Sequence, residues 1–462
     1  MAIAPSGNFI YVADEENTLE IVTVDTATGA LTAETGVDTG SNPSSVTVDP
    51  SGSLVYVTNQ GPALDGNGYF NDVWIYSIGS NGLPTSSTIA STQQEPASLA
   101  LAGGTSSITY TPKFAYVANQ GSSTVASTVS AYKINASTGK LTAVSGSPFA
   151  DGGASTFALA SSVAVDPSGR FVYVANTAGS VAEYKIDSSS GALTAIAGSP
   201  IADTDLPVSV AVDPSGRFVY AANTPAPTIS EYTIGASTGA LTAISGSPLS
   251  TGANSNLKMM AVDPTGQFLY ATVAANGETF GEILAFAIDS SSGALSAVTG
   301  SPLMTNVEYP SALAVDPSGQ FLYVTGNATG DDIYVYDINP ATGAPSYSNE
   351  FSAGPFSASV AVNPLDNYVY VPSLTGNYVE TYSLANGDLK LLTDSPFGAG
   401  ANPISVAVDP SGKFVYVANN GDNDVTAYKI NAKTGDLIEI TGQSAVPAGT
   451  SPISVVTTGT IH

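Results

Sequence analysis

The sequence predicts an all-β fold, a single closed β-propeller of four-stranded antiparallel blades. Three observations predict it. A unit of about fifty residues recurs nine times along the 462-residue chain, and self-similarity at such a period marks an array of one supersecondary unit. Every unit divides into four strand-like runs with turn residues between them. The chain then ends on Ile453–Gly459 (ISVVTTG), which reads as a tenth first strand. Two columns fix the count. Tyrosine recurs at Tyr11, Tyr56, Tyr116, Tyr173, Tyr220, Tyr270, Tyr323, Tyr370 and Tyr416. Glycine recurs in a later turn at Gly29, Gly82, Gly139, Gly191, Gly239, Gly293, Gly343, Gly387 and Gly435.

Repeat four shows the elements in order. SVAVD ends at Asp166. The turn DPSG follows, with Pro167 at the position that suits its fixed φ and Gly169 closing it. RFVYVAN (Arg170–Asn176) and VAEYKID (Val181–Asp187) are the second and third strands, and the hairpin SSSG leads to the fourth, ALTAIAG. Val, Ile, Tyr and Phe suit a pleated, packed surface, and no helical periodicity interrupts them. Four antiparallel strands repeated around a ring describe a propeller. On this reading the whole chain is one domain, with nine blades at approximately 1–40, 41–92, 93–150, 151–201, 202–249, 250–303, 304–353, 354–398 and 399–447. A strand at 452–459 is expected to close the ring beside blade one and remove the open edges. Met1 itself falls inside a repeat, since MAIAPSG aligns with VAVDPSG. An upstream export segment is therefore expected to have been cut away.

Composition excludes several function classes. Lys and Arg number 11 against 38 Asp and Glu, for a net charge of −27. Nucleic acids and anionic membranes require basic patches, so both are disfavoured as partners. No apolar run approaches the length of a membrane span. The chain has no cysteine, which rules out disulfides, thiolate nucleophiles and Cys-ligated metals. Charged residues are only 11%, so Ser, Thr, Asn and Gly must build much of the surface.

Strand alternation puts the DPSG turns and TG hairpins on one face. The second-to-third loops and inter-blade links lie on the other, where most insertions fall: Gln60–Asn71, Gln120–Thr128, Phe149–Ala160 and Ile201–Pro207. Inserted loops on one face of a repeat protein often mark a binding face. The loop DGNGYFND (Asp65–Asp72) carries oxygen donors and glycines of the kind Ca²⁺ takes. Asp65, Asn67, Asn71 and Asp72 are its candidate ligands, set against a turn-rich solvated loop. Asp/Asn/Gly runs at Gly421–Asp424 and Gly330–Asp332 have the same two readings. The aromatics outside the repeat register, Tyr69, Phe70, Phe157 and Tyr309, are candidate ligand contacts. The periodic tyrosines are instead assigned to packing between blades. The aspartates before proline (Asp49, Asp166, Asp213, Asp263, Asp316 and Asp409) read as turn caps. GASTG (Gly235–Gly239) matches a nucleophile signature, but it occupies the hairpin that reads NASTG or DSSSG elsewhere.

The combination DPSG–FVYVAN–VTAYKI–TGxL, best written in blades four, five and nine, resembles the lactonase-type or YVTN β-propeller repeats of bacterial and archaeal surface or periplasmic proteins. The resemblance covers the whole chain. It implies a seven-bladed precedent, 6-phosphogluconolactonase-like or muconate-cycloisomerising chemistry, and His, Arg and Glu side chains around the channel mouth. This chain has one histidine, His462, and two arginines, Arg170 and Arg217, both in the slot after DPSG. No catalytic residue carries over.

The function expected from the sequence is thus a non-catalytic extracellular or periplasmic scaffold. It would bind a glycan, a surface protein or a copy of itself through the loop-bearing face, with Ca²⁺ as the one candidate cofactor. The alternative is a lactonase-like hydrolase or isomerase with a carboxylate or metal site at the channel mouth. A third reading is an engineered or recently amplified repeat protein with no evolved ligand.

Overall fold

A computed structural model describes residues 2–461, apart from 4–8, 14–16, 25–29, 40–42, 49–53, 61–70, 80–81, 92–109, 123, 152–158, 204, 254, 275–279, 327–331 and 441–444. The described residues form nine antiparallel sheets, one per repeat, and no helix. None can therefore cross a membrane as a long apolar helix. Repeat four sets the pattern: Ala160–Val165, Phe171–Asn176, Ser180–Ile186 and Leu193–Ala195 lie side by side in that order. A two-residue strand, Ile201–Ala202, adds to the third. The second strand is buried along its whole length, from Phe171 to Asn176. The fourth is short and mostly exposed, which limits the unpaired edge it offers.

The chain divides into two compact units, Met1–Ser107 and Ile108–His462. The first holds the sheets of repeats one and two, and the second holds the remaining seven. Each core is a wedge between successive sheets. In the first unit a single wedge joins the two sheets, with Tyr11, Leu19, Ile21, Val55, Val57 and Tyr76 inside it. In the second unit seven wedges serve seven sheets. One of them packs Phe414, Tyr416 and Val425 of repeat nine against Ala115, Tyr132 and Leu141 of repeat three.

The C-terminal strand corrects one expectation. Pro452–Ile461 pairs with Tyr110–Asn119 of repeat three, Val455 opposite Val117. Repeat one instead has its own first strand, Ala2–Ile3, beside Phe9–Ala13. The physical reason lies in repeat three, which reads TYTPKFAYVAN and lacks the DPSG turn that would bring in a first strand of its own. The vacant ladder is filled by the far end of the chain.

One contact recurs at nearly every wedge. The column tyrosine of each repeat donates its hydroxyl to the carbonyl of the next repeat's turn glycine: Tyr11 to Gly82 at 3.0 Å, Tyr116 to Gly191 at 3.0 Å, Tyr173 to Gly239 at 2.9 Å, Tyr220 to Gly293 at 2.8 Å and Tyr270 to Gly343 at 2.9 Å. Tyr416 of repeat nine reaches Gly139 of repeat three at 2.9 Å. Tyr323 and Tyr370 are buried without the bond. The aromatic that opens each second strand lies over the same glycine: a Cβ on Gly139, whose φ is +74°, would stand 2.3 Å from Phe414. Burial raises the phenol pKa of the six tyrosines that make this bond.

Two substitutions separate the parts of this contact. Tyr416→Phe leaves a buried carbonyl unpaired and should cost about 1–2 kcal/mol of unfolding free energy. Gly139→Ala adds a left-handed backbone penalty to an aromatic clash and should cost more, about 2–4 kcal/mol. Denaturant titration of the two variants checks the order; indifference to Gly139→Ala would remove the contact from the stability of the wedge.

Candidate functional site

The first strands of the second unit all contribute to one cavity of about 610 Å³. Residues at one register position line it from each of the seven sheets: Ser161, Val208, Lys258, Ser311, Ala358, Ile404 and Ile453. Tyr309 and Ala274 join them. The ring is two-sided in chemistry. Ile404, Ile453 and Val208 form an apolar arc, while Lys258, Tyr309 and Ser311 supply an ammonium, a phenol and a hydroxyl. Lys258 is exposed, and among the described residues no carboxylate, histidine or arginine lines the cavity.

The serines one position further along each strand explain how the ring is held. Ser162 Oγ accepts the N–H of Val210 at 3.2 Å, Ser209 Oγ that of Met260 at 3.1 Å and Ser359 Oγ that of Val406 at 3.4 Å. The ladder continues through the C-terminal strand: Ser405 Oγ takes Val455 N–H at 3.2 Å, and Ser454 Oγ takes Val163 N–H at 3.4 Å. These hydroxyls stitch neighbouring first strands, which do not pair edge to edge, and they satisfy backbone donors that would otherwise be orphaned. Their role is positional.

Of the residues singled out in the sequence, only Tyr309 reaches this cavity. It is 50% exposed and holds φ at +46°, uncommon for a bulky residue. The turn before Pro310 sets it at the rim. Tyr69, Phe70 and Phe157 lie outside the described residues, as do Asp65 and Asn67. Asn71 and Asp72 belong to the strand Asn71–Ile78, opposite Gln60 and Asn59. Among the described residues no group of three or more His, Cys, Asp or Glu is placed to hold a metal.

The remaining motifs take structural roles. Asp166 Oδ1 accepts the N–H groups of Arg170 at 2.7 Å and Phe171 at 2.6 Å, while Oδ2 accepts from Ser168. Asp213, Asp263, Asp316 and Asp409 repeat the pattern, and Asp49 lies outside the described residues. Ser237 is an exposed hairpin residue, where Gly239 N–H returns to Gly235 O at 2.7 Å. In the equivalent hairpin the hydroxyl of Ser189, with Ser190 and two backbone N–H groups, holds the Asp187 carboxyl well below its usual range. Asp422 and Asp424 are likewise engaged, by Ala401 N–H and the Asn419 amide.

Four carboxylates have raised pKa values, Asp366, Asp424, Glu183 and Glu231, with burial the main cause in each, and of these the two glutamates are the buried ones. Both sit on third strands, away from the cavity lining. Glu183 Oε1 accepts Leu241 N–H at 2.7 Å and Glu231 Oε1 accepts Leu295 N–H at 2.7 Å, each reaching into the next repeat. They cap inter-sheet backbone and are not grouped for acid–base chemistry.

Four-stranded antiparallel sheets arranged as blades, with a ligand-sized cavity lined from seven of them, define the fold class as a β-propeller. More particularly, the chain belongs to the family described as lactonase, 7-bladed beta-propeller, whose model matches residues 1–64, 104–259, 244–355 and 344–456. A 6-phosphogluconolactonase of Formosa agariphila is 38% identical over 82 residues, which is 18% of this chain and 22% of that protein. The chain thus spans about a fifth of the length of the curated relative it matches. Among solved structures, a putative 6-phosphogluconolactonase from Bacteroides uniformis superposes with a TM-score of 0.61 at 19% identity, covering 75% of this chain and 99% of that one. The periplasmic gluconolactonase of Pseudomonas aeruginosa gives 0.60 at 17% identity, with coverage of 75% and 99%. At these identities the likeness is one of fold.

Lys258 is the residue that sequence reasoning passed over. The signal was present, because it is the only Lys or Arg in any first strand.

The buried glutamates give a prediction with a definite sign. A folded-state pKa raised above the unfolded value favours the protonated form. The stability linked to it is present below about pH 4.5 and is lost as pH rises through the folded value. Glu183→Gln keeps an oxygen for Leu241 N–H without the buried charge. It should raise the melting temperature at pH 7 and leave it nearly unchanged at pH 4. An equal shift at both pH values would contradict burial as the cause.

Proposed function

We propose that residues 108–462 act as a closed seven-bladed propeller of lactonase type, with Pro452–Ile461 as the closing strand. Repeats one and two then form a separate module. The axial cavity takes a cyclic ester or the hydroxy acid released from it. The observation that carries this reading is the single ammonium of Lys258 in a ring otherwise built from hydroxyls and small apolar side chains.

Hydrolysis of a lactone needs little from the protein beyond positioning and charge. Water adds to the carbonyl carbon, the carbonyl oxygen becomes an oxyanion, and the ring C–O bond breaks with the alkoxide taking a proton from solvent. A fixed cation beside the developing oxyanion lowers that barrier, and the same cation pairs with the product carboxylate. The apolar arc suits the C–H face of the ring, and Tyr309 stands where it can cover it. One ammonium matches a monocarboxylate better than a phosphate dianion, which usually draws an Arg or Lys cluster. The substrate class is therefore an unphosphorylated lactone.

A second reading has its own support. Among the described residues the lining contains no carboxylate or histidine to act as general base, which suits binding without turnover. On that reading the protein is a scaffold for a sugar acid or glycan, exported to the periplasm or cell exterior.

Initial rates over a panel of phosphorylated and unphosphorylated lactones, with spontaneous opening subtracted, decide between the two. On the hydrolase reading, turnover exceeds background and Lys258→Met lowers kcat/KM by roughly 100-fold. If there is no turnover but an aldonate binds, and Lys258→Met weakens it, the scaffold reading holds. Turnover untouched by Lys258→Met would overturn the proposed site.

A further inference from the structure

The wedge between repeats six and seven holds a second cavity, of about 450 Å³, on the face of the DPSG turns. The strand Leu257–Val262 joins the two sites: Lys258, near its start, lines the axial cavity, and Asp263, just past its end, lines this one.

In the preceding wedges a cation of the chain itself covers the equivalent place. The guanidinium of Arg217, in repeat five, lies 5.0 Å from the centre of the Phe218 ring. Its Nε donates to Ser215 Oγ at 3.0 Å, and its Nη2 donates to Ser290 O, in repeat six, at 2.7 Å. Arg170 stands over Phe171 at 4.9 Å in repeat four, and Lys113 Nζ over Phe114 at 5.5 Å in repeat three. Arg217 thus straps a turn hydroxyl, an aromatic face and a carbonyl of the next repeat with one planar cation.

Repeat six keeps those surroundings and changes the strap. Thr265, Phe268 and Pro340 occupy the places of Ser215, Phe218 and Ser290, and all three line the cavity. The arginine slot carries Gln267, shorter and uncharged. A second change accompanies it. Asp337, exposed, lines the cavity at the position where repeat six has Ala287 and repeat five has Thr233. Asp263 adds another carboxylate, and among the described residues no Lys or Arg lines the cavity.

We propose that this cavity binds a guanidinium group carried by another molecule, in the place that Arg217 fills one wedge earlier. The face of Phe268 attracts a cation through the ring quadrupole. Asp337 offers a carboxylate to the paired N–H groups of the ligand, and the amides of Gln267 and Gln320 offer further oxygens. A guanidinium suits this set better than an ammonium, because it is planar and stacks on a ring while donating within its own plane. The net charge of −27 draws cations to the surface as a whole. The inference is independent of the axial cavity and of any lactone chemistry. The guanidinium may be supplied by a small compound or by an arginine side chain of a polypeptide, and the test separates the two.

Isothermal titration calorimetry on the full chain uses two probes, Nα-acetyl-arginine amide and a capped pentapeptide with one central arginine. The small probe should bind with a Kd on the order of 1 mM, and its uncharged citrulline counterpart should not bind. Peptide binding tighter by about tenfold identifies a polypeptide arginine as the ligand, and equal binding identifies a small guanidinium compound. Gln267→Arg rebuilds the strap of repeats four and five. It should keep the melting temperature at or above that of the wild type and abolish binding of both probes. Asp337→Asn should weaken binding about tenfold. Failure of both probes to bind at about 20 mM would overturn the inference. So would equal binding of the citrulline compound, or unchanged binding in Gln267→Arg.

Discussion

The wedge between successive repeats is the constraint on which the rest depends. No sheet here can bury both its faces alone. At six of the eight wedges a tyrosine hydroxyl, a glycine carbonyl and an aromatic ring over that glycine join one sheet to the next. Tyr416 and Gly139 carry the same contact from the last repeat back to the third. Counting wedges against sheets then says what each unit is. Seven wedges for the seven sheets of the second unit give each sheet a neighbour on both sides, while the first unit has one wedge between its two sheets. The glycine is fixed by geometry: it holds a positive φ under an aromatic ring where a Cβ would clash. That is why glycine appears once per repeat at this turn.

The same packing builds the cavity. Wedges splay the sheets, so the first strands face one another without sharing a ladder, and serine hydroxyls take the backbone N–H groups left over. Residues at a single register position are thereby brought to one ring from seven distant places in the sequence. Chemistry at such a ring is set by single substitutions in an otherwise repetitive background, and Lys258 is the most consequential of them. In a chain of net charge −27, one ammonium in the axial cavity favours an anion that the rest of the molecule repels.

The fold class and the packing role of the tyrosines were legible, because a column repeated nine times can only serve a contact repeated with it. The turn aspartates were legible for the same reason. The partner of the C-terminal strand was misassigned. ISVVTTG fits any repeat lacking a first strand, and MAIAPSG at the start drew attention from TYTPKFAYVAN, the repeat with no DPSG. Tyr309 drew notice because it breaks register, and it lines the cavity. Lys258 was missed because a lysine in an alternating strand usually faces solvent, and only the convergence of seven strands gives that position an axis to face. The acidic run at Asp65–Asp72 had local composition in its favour and nothing at long range. Its first half lies outside the described residues.

Glu183 and Glu231 show why a perturbed carboxylate is not by itself a site. Their shifts come from burial in a wedge and are moderated by the backbone N–H groups they accept, one from each following repeat. A catalytic acid needs the same burial but must also open onto a cavity where a substrate proton can meet it. Here both glutamates lie on third strands and neither is among the residues lining the cavity, so the fold separates the two requirements.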